Sequence, residues 1–432
     1  MQKIVLDDQT QYWYFPKQAD FFKVLTDKLA EGYQIQKTIG LCCCLVRLER
    51  KIWLSYSQIE GIQTNIESVL KMHFKNEKIV YPNASCTILN EISAIKRYFK
   101  KEDSTDDFEG IQSVVLLILD GMGMNVLEQT LPDDAFLKRH LKKARTAVYP
   151  STTAAATTSI KSGCFPYQTA WLGWENYFKE VDRSIVLFTG RDYQTGEDCG
   201  FSAYQALPYT PFWADLDVNG NGIEPDFSKP DRCFSEVLEQ SLAKLDPKKK
   251  NVQYVYFTEP DALLHEYGLH HPKVIEKCVE LDRQVEEYAK KLPEGTLLWI
   301  SADHGHTAVE PIELYHFDLL LKMLKRNPTN EGRCLFFSVI PSQQEAFCKL
   351  FNDLFGYAYT LYSKEEFLKK EFLGPLENRH PRLDDFLGDY IAVATNHYYF
   401  KYVEDKDDFT FKSHHAGITA DEMLVPWIVF RK

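Results

Sequence analysis

Four short segments of this 432-residue sequence carry side chains whose types and spacing could do chemistry. In Leu119-Asp120-Gly121-Met122-Gly123 an apolar run ends in a carboxylate, and the glycines let the backbone turn sharply beside it. Pro150-Ser151-Thr152-Thr153 opens a hydroxyl cluster followed by Ala154-Ala155-Ala156, small residues that can start a helix. A helix N-terminus offers N–H groups to an anion, so a hydroxyl there can be both nucleophile and phosphate neighbour, although one Ser or Thr at that place is also an ordinary N-cap. Asp261 and His265 stand four apart and share one helical face, which suits two ligands on one ion; the plainer reading is a capping Asp and a surface His. Ser301-Ala302-Asp303-His304-Gly305-His306 follows the apolar run Thr296 to Ile300 directly, and His415 in Ser413-His414-His415-Ala416-Gly417 adds a further imidazole before the last apolar run. Asp120, Asp261, Asp303, His265, His304 and His415 with one hydroxyl can hold two divalent ions. N/O donors without thiolates suit zinc, manganese or magnesium, and the imidazole share favours zinc. Such a pair clamps the attacking and leaving oxygens of an in-line displacement and activates a hydroxyl that is otherwise a poor nucleophile.

Those residues need a frame that brings them together. Val114 to Leu119 is a continuous apolar run, the mark of a strand buried on both faces. Similar strands are predicted at Ser184 to Phe188, Val252 to Phe257, Thr296 to Ile300 and Leu424 to Phe430, with helical spacing between them, as at Val274 to Lys290. Alternation of this kind predicts an α/β fold with a central, mostly parallel sheet and helices on both faces. Ligands of such sheets sit beyond the carboxyl ends of the strands, where the candidate residues fall. Residues 1–78 read as a small N-terminal α/β unit: helix Ala19 to Ala30, strands Leu41 to Leu48 and Lys51 to Tyr56, helix Ile62 to Phe74. Ser85 to Phe99 is predicted helical, and Lys101 to Gly110 is an acidic linker. The main domain is expected over 79–432, interrupted by an inserted subdomain at about 310–406 with strands Cys334 to Ile340 and Ala358 to Tyr362 and helix Gln344 to Leu354.

Hydrophobic residues at 44% and charged residues at 26% describe an ordinary globular chain. A formal net charge of -12 repels nucleic-acid polymers and anionic membranes, so neither is expected as a partner. A small phosphorylated substrate remains compatible, because bound cations reverse the local sign. The ten cysteines include no CxxC pair and read as reduced thiols. Met1 to Phe15 has no signal-peptide core, and the apolar runs are too short to span a bilayer, so the cytoplasm is the expected location.

Taken in order, these segments resemble the alkaline phosphatase superfamily, and within it the type I phosphodiesterase/nucleotide pyrophosphatase branch with its phosphonoacetate-hydrolase-like relatives. The resemblance runs from about Tyr81 to the C-terminus. In that family the nucleophile lies in a Pro-x-x-Thr segment ten residues before a glycine; Pro150 to Gly163 has the same length, which selects Thr153. The resemblance implies that Asp120, Thr153, Asp303 and His304 bind one metal ion and Asp261, His265 and His415 the other. Spacing to Gly417 favours His415 over His414, and Glu422-Met423 with Pro426 completes the pattern. The insertion matches where relatives carry a cap. Two features depart from it: Thr169-Ala170 stands where relatives have His-Gly, and the phosphoryl-steadying asparagine falls at Trp174, with Asn176 off register.

The expected activity is therefore hydrolysis of a phosphodiester or pyrophosphate bond in a small, nucleotide-like substrate through a phosphothreonine, with Trp174, Asn176 and Tyr177 lining the substrate site. Alternatives are a phosphomonoesterase or phosphonate hydrolase of the same superfamily, and an inactive scaffold that binds a phosphorylated ligand. A sulfatase would need an Arg that Cys164-Phe165-Pro166-Tyr167-Gln168 lacks, and phosphomutases carry serine where Thr153 falls. Diesters are expected to outrun monoesters, because no Arg follows Thr153 to clamp a dianion and Lys161 is two helical turns away.

Overall fold

A computed structural model describes residues 2–5, 10–15, 17–31, 33–38, 42–47, 50–56, 77–102, 108–225, 233–404 and 409–432. The predicted helix Ile62 to Phe74 lies outside them. The chain divides into two compact units. The larger comprises 79–309, 368–386 and 411–432 and contains every candidate site residue.

Its elements in chain order are helix α1 (Ile88–Lys100), strand β1 (Ser113–Leu119), α2 (Met124–Thr130), β2 (Leu141–Thr146), α3 (Thr153–Ser162), β3 (Asn219–Ile223), α4 (Phe234–Lys244), β4 (Asn251–Phe257), α5 (Asp261–Tyr267), α6 (Pro272–Lys291), β5 (Thr296–Ser301) and β6 (Leu424–Arg431), with several shorter helices between. The six strands form one sheet in the order β3-β4-β1-β5-β6-β2. β3, β4, β1 and β5 are mutually parallel, and β6 runs antiparallel to both of its neighbours. The central, mostly parallel sheet is thus as expected.

β1 occupies an interior position of the sheet and is buried along its whole length. Period-2 alternation sends its side chains to opposite faces. Val115, Leu117 and Leu119 join a core made with α2, α4 and α6 through Val126, Leu127, Val237, Leu238, Leu281 and Val285. Val114, Leu116 and Ile118 join a second core made with α1 and α3 through Ile92, Ile95, Ala155 and Ile160. Each fully buried aliphatic side chain contributes about 1.5–3 kcal/mol, and after Ser113, whose Oγ accepts from Asn251, β1 carries no polar residue until Asp120. α1 starts at a capping box between Thr87 and Asn90 and lays Ile88, Leu89, Ile92, Ile95 and Phe99 on the sheet.

The strand expected at Ser184 to Phe188 is not part of this sheet. It is Arg183–Val186, hairpinned against Glu175–Phe178 in a two-stranded ribbon. Turn residues on either side, Val181-Asp182 and Thr189-Gly190, confine it to hairpin length.

The smaller unit joins 1–78 to 310–367 and 387–410, so the N-terminal residues do not stand apart from the insertion as the sequence suggested. A five-stranded sheet pairs Gln2–Val5, Thr10–Phe15, Arg50–Tyr56, Cys42–Arg47 and Gln34–Thr38 in that order. A four-stranded antiparallel sheet is built from Thr329–Glu331, Cys334–Phe337, Tyr390–Ala394 and Tyr359–Ser363, beside helix Gln344–Phe355. The tie is a buried carboxamide. Gln18 donates from Nε2 to the Pro311 carbonyl at 2.8 Å and accepts from the Glu313 N–H at 2.7 Å, while Phe22 packs on Phe317 at 5.1 Å between ring centroids. No periodicity in the sequence announces a contact of that span.

Candidate active site

Three parallel neighbours, β4, β1 and β5, each run straight into a carboxylate-bearing turn. β1 delivers Asp120, and the turn after β4 delivers Asp261, whose N–H donates to the Asp120 carbonyl at 3.1 Å. β5 delivers Asp303 and His304. Gly121 has φ +72° and sits so close to its neighbours that a Cβ there would meet His306 Cδ2 at 3.0 Å and the Asp261 Cα at 3.1 Å. Gly123 and Gly305 face each other across the same turns, and a Cβ on Gly123 would come within 2.4 Å of the Gly305 Cα.

The candidates gather into two clusters with closely spaced ligand atoms: Asp120, Asp303 and His304 in one, and Asp261, His265, His306 and His415 in the other. His304 Nε2 lies 3.4 Å from Asp120 and 3.6 Å from Asp303. Around Asp261 Oδ1 stand the Nε2 atoms of His306 at 2.6 Å, His265 at 3.5 Å and His415 at 3.7 Å. The rings of His304 and His415 stack at 3.8 Å and bring the clusters side by side. His306 has no role in the sequence reading; its signal is a third ligand-type side chain in Asp303-His304-Gly305-His306. His414 is outside both clusters, its Nδ1 accepting from the His415 N–H at 2.9 Å.

Every imidazole is oriented through Nδ1. Its partner is the Ser413 carbonyl for His265 at 2.9 Å, the Gly305 carbonyl for His304 at 3.1 Å and the Ser151 carbonyl for His415 at 3.2 Å. Carbonyls only accept, so these Nδ1 atoms carry the proton and Nε2 presents a lone pair. For His306 the partner is Ser413 Oγ at 3.1 Å, and that hydroxyl spends its own proton on the Leu264 carbonyl at 2.7 Å, which gives the same tautomer.

The charges confirm a cation-shaped need. Burial, then the neighbouring Asp303 and Asp261 charges, push the Asp120 carboxyl well above its usual range. Asp303 is raised by burial against the opposing pull of His304. Burial acts the same way on Asp261, but in the metal-free protein a proton on the facing imidazoles, through the charge of His265 and a hydrogen bond from His306, outweighs it and holds that carboxyl well below the carboxylate range. Burial lowers His306 to about 4 and, with the surrounding imidazoles, lowers His415 strongly. Tyr256 donates to Asp120 Oδ2, yet Asp120 Oδ1 and Asp303 Oδ2 are buried with no hydrogen-bond partner among the described residues. Lone pairs facing carboxylates, with orphaned buried oxygens, fit divalent cations.

Thr153 is the first residue of α3, whose Thr152 cap is extended, and its Oγ1 is 3.1 Å from His304 Nε2. Ser151 Oγ instead donates to the Gly417 carbonyl at 2.8 Å. The His415 loop is fastened by Glu422, fully buried, which accepts from the Gly417 N–H at 2.7 Å, the Thr419 N–H at 3.1 Å and Thr419 Oγ1 at 2.6 Å. Of the expected substrate contacts, Asn176 is buried on the ribbon. Its Nδ2 donates to the Ala170 carbonyl at 3.3 Å, and its Oδ1 has no partner among the described residues. Trp174 is 39% exposed and packs on Phe188; Tyr177, on the ribbon's other face, donates to Asp182 at 2.6 Å.

Residues 114–417 match the family described as type I phosphodiesterase/nucleotide pyrophosphatase. The chain belongs to that family. Membership places it within the alkaline phosphatase superfamily. By sequence it is similar to the catalytic subunit of human GPI ethanolamine phosphate transferase 3, 25% identical over 37% of this chain; the chain spans only 14% of that relative's length. By structure this family member is similar to murine ectonucleotide pyrophosphatase/phosphodiesterase 5, with a TM-score of 0.52, 19% identity and coverage of 74% of this chain and 88% of the other. An inactive threonine-to-alanine variant of the murine protein, in complex with AMP, gives a TM-score of 0.51 at 19% identity over 74% and 89% of the two chains. Phosphonoacetate hydrolase from Sinorhizobium meliloti 1021, in complex with phosphonoformate, gives 0.51 at 16% identity over 73% and 89%. Among the described residues, no helix is long and apolar enough to cross a membrane.

Proposed function

We propose that this family member hydrolyses phosphodiester or pyrophosphate bonds of a small, nucleotide-like substrate through a covalent phosphothreonine at Thr153, with two divalent ions, zinc or manganese, as cofactors. The observation that carries the reading is Thr153 Oγ1 at a helix N-terminus, 3.1 Å from His304 Nε2 of the Asp120–Asp303–His304 cluster. Asp120, Thr153, Asp303 and His304 would hold one ion and Asp261, His265 and His415 the other, and when bound they would supply a lowered hydroxyl pKa and neutralise charge on the attacking and leaving oxygens.

The chain's own residues do the rest. Thr153 Oγ1 bonds to phosphorus as the bond to the leaving oxygen breaks, and the hydroxyl proton ends on that leaving oxygen, directly or through solvent. Water then attacks the phosphothreonine, releases the phosphorylated product and restores the hydroxyl. The first-turn N–H groups of α3 meet the phosphoryl oxygens. Asn176 would steady the same oxygens, with Trp174 and Tyr177 against the leaving group. The AMP held by the murine relative, in a variant silenced at a threonine, supports both the nucleophile and the substrate class.

A diester carries one charge where a monoester carries two, so a preference for diesters requires that cations stay away from the phosphoryl group. Lys161 is engaged by Glu224 at 2.7 Å and Tyr209 at 2.9 Å, and Arg183 by Asp192 and Glu197. Arg191 donates to the Gly196 carbonyl. Turnover of bis-p-nitrophenyl phosphate, a nucleotide p-nitrophenyl ester and p-nitrophenyl phosphate on one zinc-loaded preparation tests the reading. Faster cleavage of the two diesters is expected, and a clear monoester preference would move the protein to the phosphatase branch. The ethanolamine phosphate transferase relative favours one variant of the scheme, in which an alcohol replaces water in the second step; product partition with added ethanolamine or glycerol separates the two.

A further inference from the structure

We propose that His306 is a fourth protein ligand to the ion of the Asp261, His265 and His415 cluster, so that this ion, like the one assigned to Asp120, Thr153, Asp303 and His304, sits among four protein donors. The inference rests on the two-ion reading above and deepens it.

The geometry of the rings carries it. Tetrahedral zinc holds imidazole nitrogens at about 2.0–2.1 Å. Adding about 1.1 Å from nitrogen to ring centre, three such rings lie about 5.2 Å from one another around one point. The observed centroid separations are 4.8 Å for His265–His306, 5.1 Å for His265–His415 and 5.2 Å for His306–His415. His304, assigned to the other ion, breaks the pattern at 3.8 Å from His415, whereas His414 keeps 5.1 Å from both His265 and His415, so what distinguishes His306 is its Nε2 at 2.6 Å from Asp261 Oδ1. Asp261 Oδ1 completes the set: tetrahedral donors stand about 3.3 Å apart, and its three Nε2 neighbours lie between 2.6 and 3.7 Å.

His306 is also built like a ligand. Its ring is buried, its Nδ1 is committed to Ser413 Oγ, and its own carbonyl accepts from Asn125 Nδ2 at 2.7 Å. Gly121 leaves it room, since a side chain there would strike the ring. The bland alternative is a core histidine donating to Asp261. That requires a second proton on the ring, because the hydroxyl of Ser413 has no proton to spare for Nδ1. Four protein donors close a tetrahedral site, so a substrate oxygen could join this ion only as a fifth ligand.

The test uses the full chain, stripped and reloaded with zinc. A crystal structure with anomalous data at the zinc edge is expected to show His306 Nε2 bound to the same ion as His265 and His415. Competition with a chromophoric chelator should show at least tenfold weaker binding at one of the two sites in His306→Met, with the other unchanged. Ser413→Ala, which keeps the ring and removes only its orienting hydroxyl, should weaken the same site severalfold, and it stands in if the first variant fails to fold. Two ions bound with His306 outside bonding distance, or affinities unchanged within twofold in both variants, would overturn this inference alone. No ion at either cluster would overturn it together with the two-ion reading.

Discussion

Glu422→Gln separates the scaffold of the site from its chemistry. Glu422 is fully buried, and its two oxygens accept three donors from the loop that carries His415. Glutamine keeps the shape but only one acceptor oxygen. If that oxygen stays with Thr419, the new amide N–H2 faces the Gly417 N–H at what is now 2.7 Å. One charge-assisted bond worth about 1.5–3 kcal/mol disappears, and a buried donor is left unsatisfied at about 1–3 kcal/mol more. The sum, about 2.5–6 kcal/mol, is large against a total stability of about 5–15 kcal/mol. At about 2–4 °C per kcal/mol for a unit of this size, the melting temperature should drop by roughly 10 °C in a thermal scan of the metal-free protein. Because Ser413 and His415 leave from the same loop, zinc binding at the Asp261 cluster should weaken in parallel. A shift under about 2 °C with unchanged zinc affinity would refute the claim that Glu422 holds this loop.

Three other outcomes follow from the geometry. Thr153→Ala should lose at least about 10³-fold in turnover, with the melting temperature nearly unchanged because alanine suits a helix first turn; comparable activity in the variant would sink the assigned nucleophile. Metal-free Asp120→Asn should be more stable than metal-free wild type at pH 8. The folded pKa of Asp120 is raised, so ionising it costs the native state above that pKa, and the advantage should fade as pH falls towards 4; thermal scans across pH with chelator present would expose a wrong sign. Gly123→Ala should force apart the turns holding Asp120 and Asp303, since its Cβ would fall 2.4 Å from the Gly305 Cα, and a variant binding two zinc ions per chain at wild-type affinity would contradict that contact.

Much of the frame was legible because burial writes itself into composition. A strand covered on both faces must be largely apolar, so β1, β4 and β5 announce themselves, and the carboxylates that follow them mark the site. The edge strands left no such mark. β2 reads Leu-Lys-Lys-Ala-Arg-Thr and is half exposed, and β3 reads Asn-Gly-Asn-Gly-Ile, which owes its strand form to pairing with β4 alone. His306 was hidden for another reason. Its neighbours His304 and Asp303 serve the other cluster, and only the turn at Gly305 redirects a side chain two positions on toward Asp261. In the sequence only resemblance separates Thr153 from Ser151, because the bond from the Ser151 hydroxyl to the Gly417 carbonyl spans a distance no local pattern encodes.

The register of the sheet limits how this chain can drift in evolution. Leu119 pairs with Phe257 and Ile118 with Ser301, so three carboxylate turns leave neighbouring strands at nearly one level, spaced by the 4.7–4.9 Å repeat of any sheet. That repeat acts as a ruler for the ligand groups. A residue inserted within β1 would advance Asp120 by about 3.3 Å and turn it to the opposite face, dismantling the set at one stroke. Residues inserted between strands cost only loop entropy, about 0.6 kcal/mol per doubling of loop length. Length variation among descendants of this sequence should therefore crowd into the connections, as the long excursion at 310–367 and 387–410 already does, while the distance from each strand to its carboxylate stays fixed.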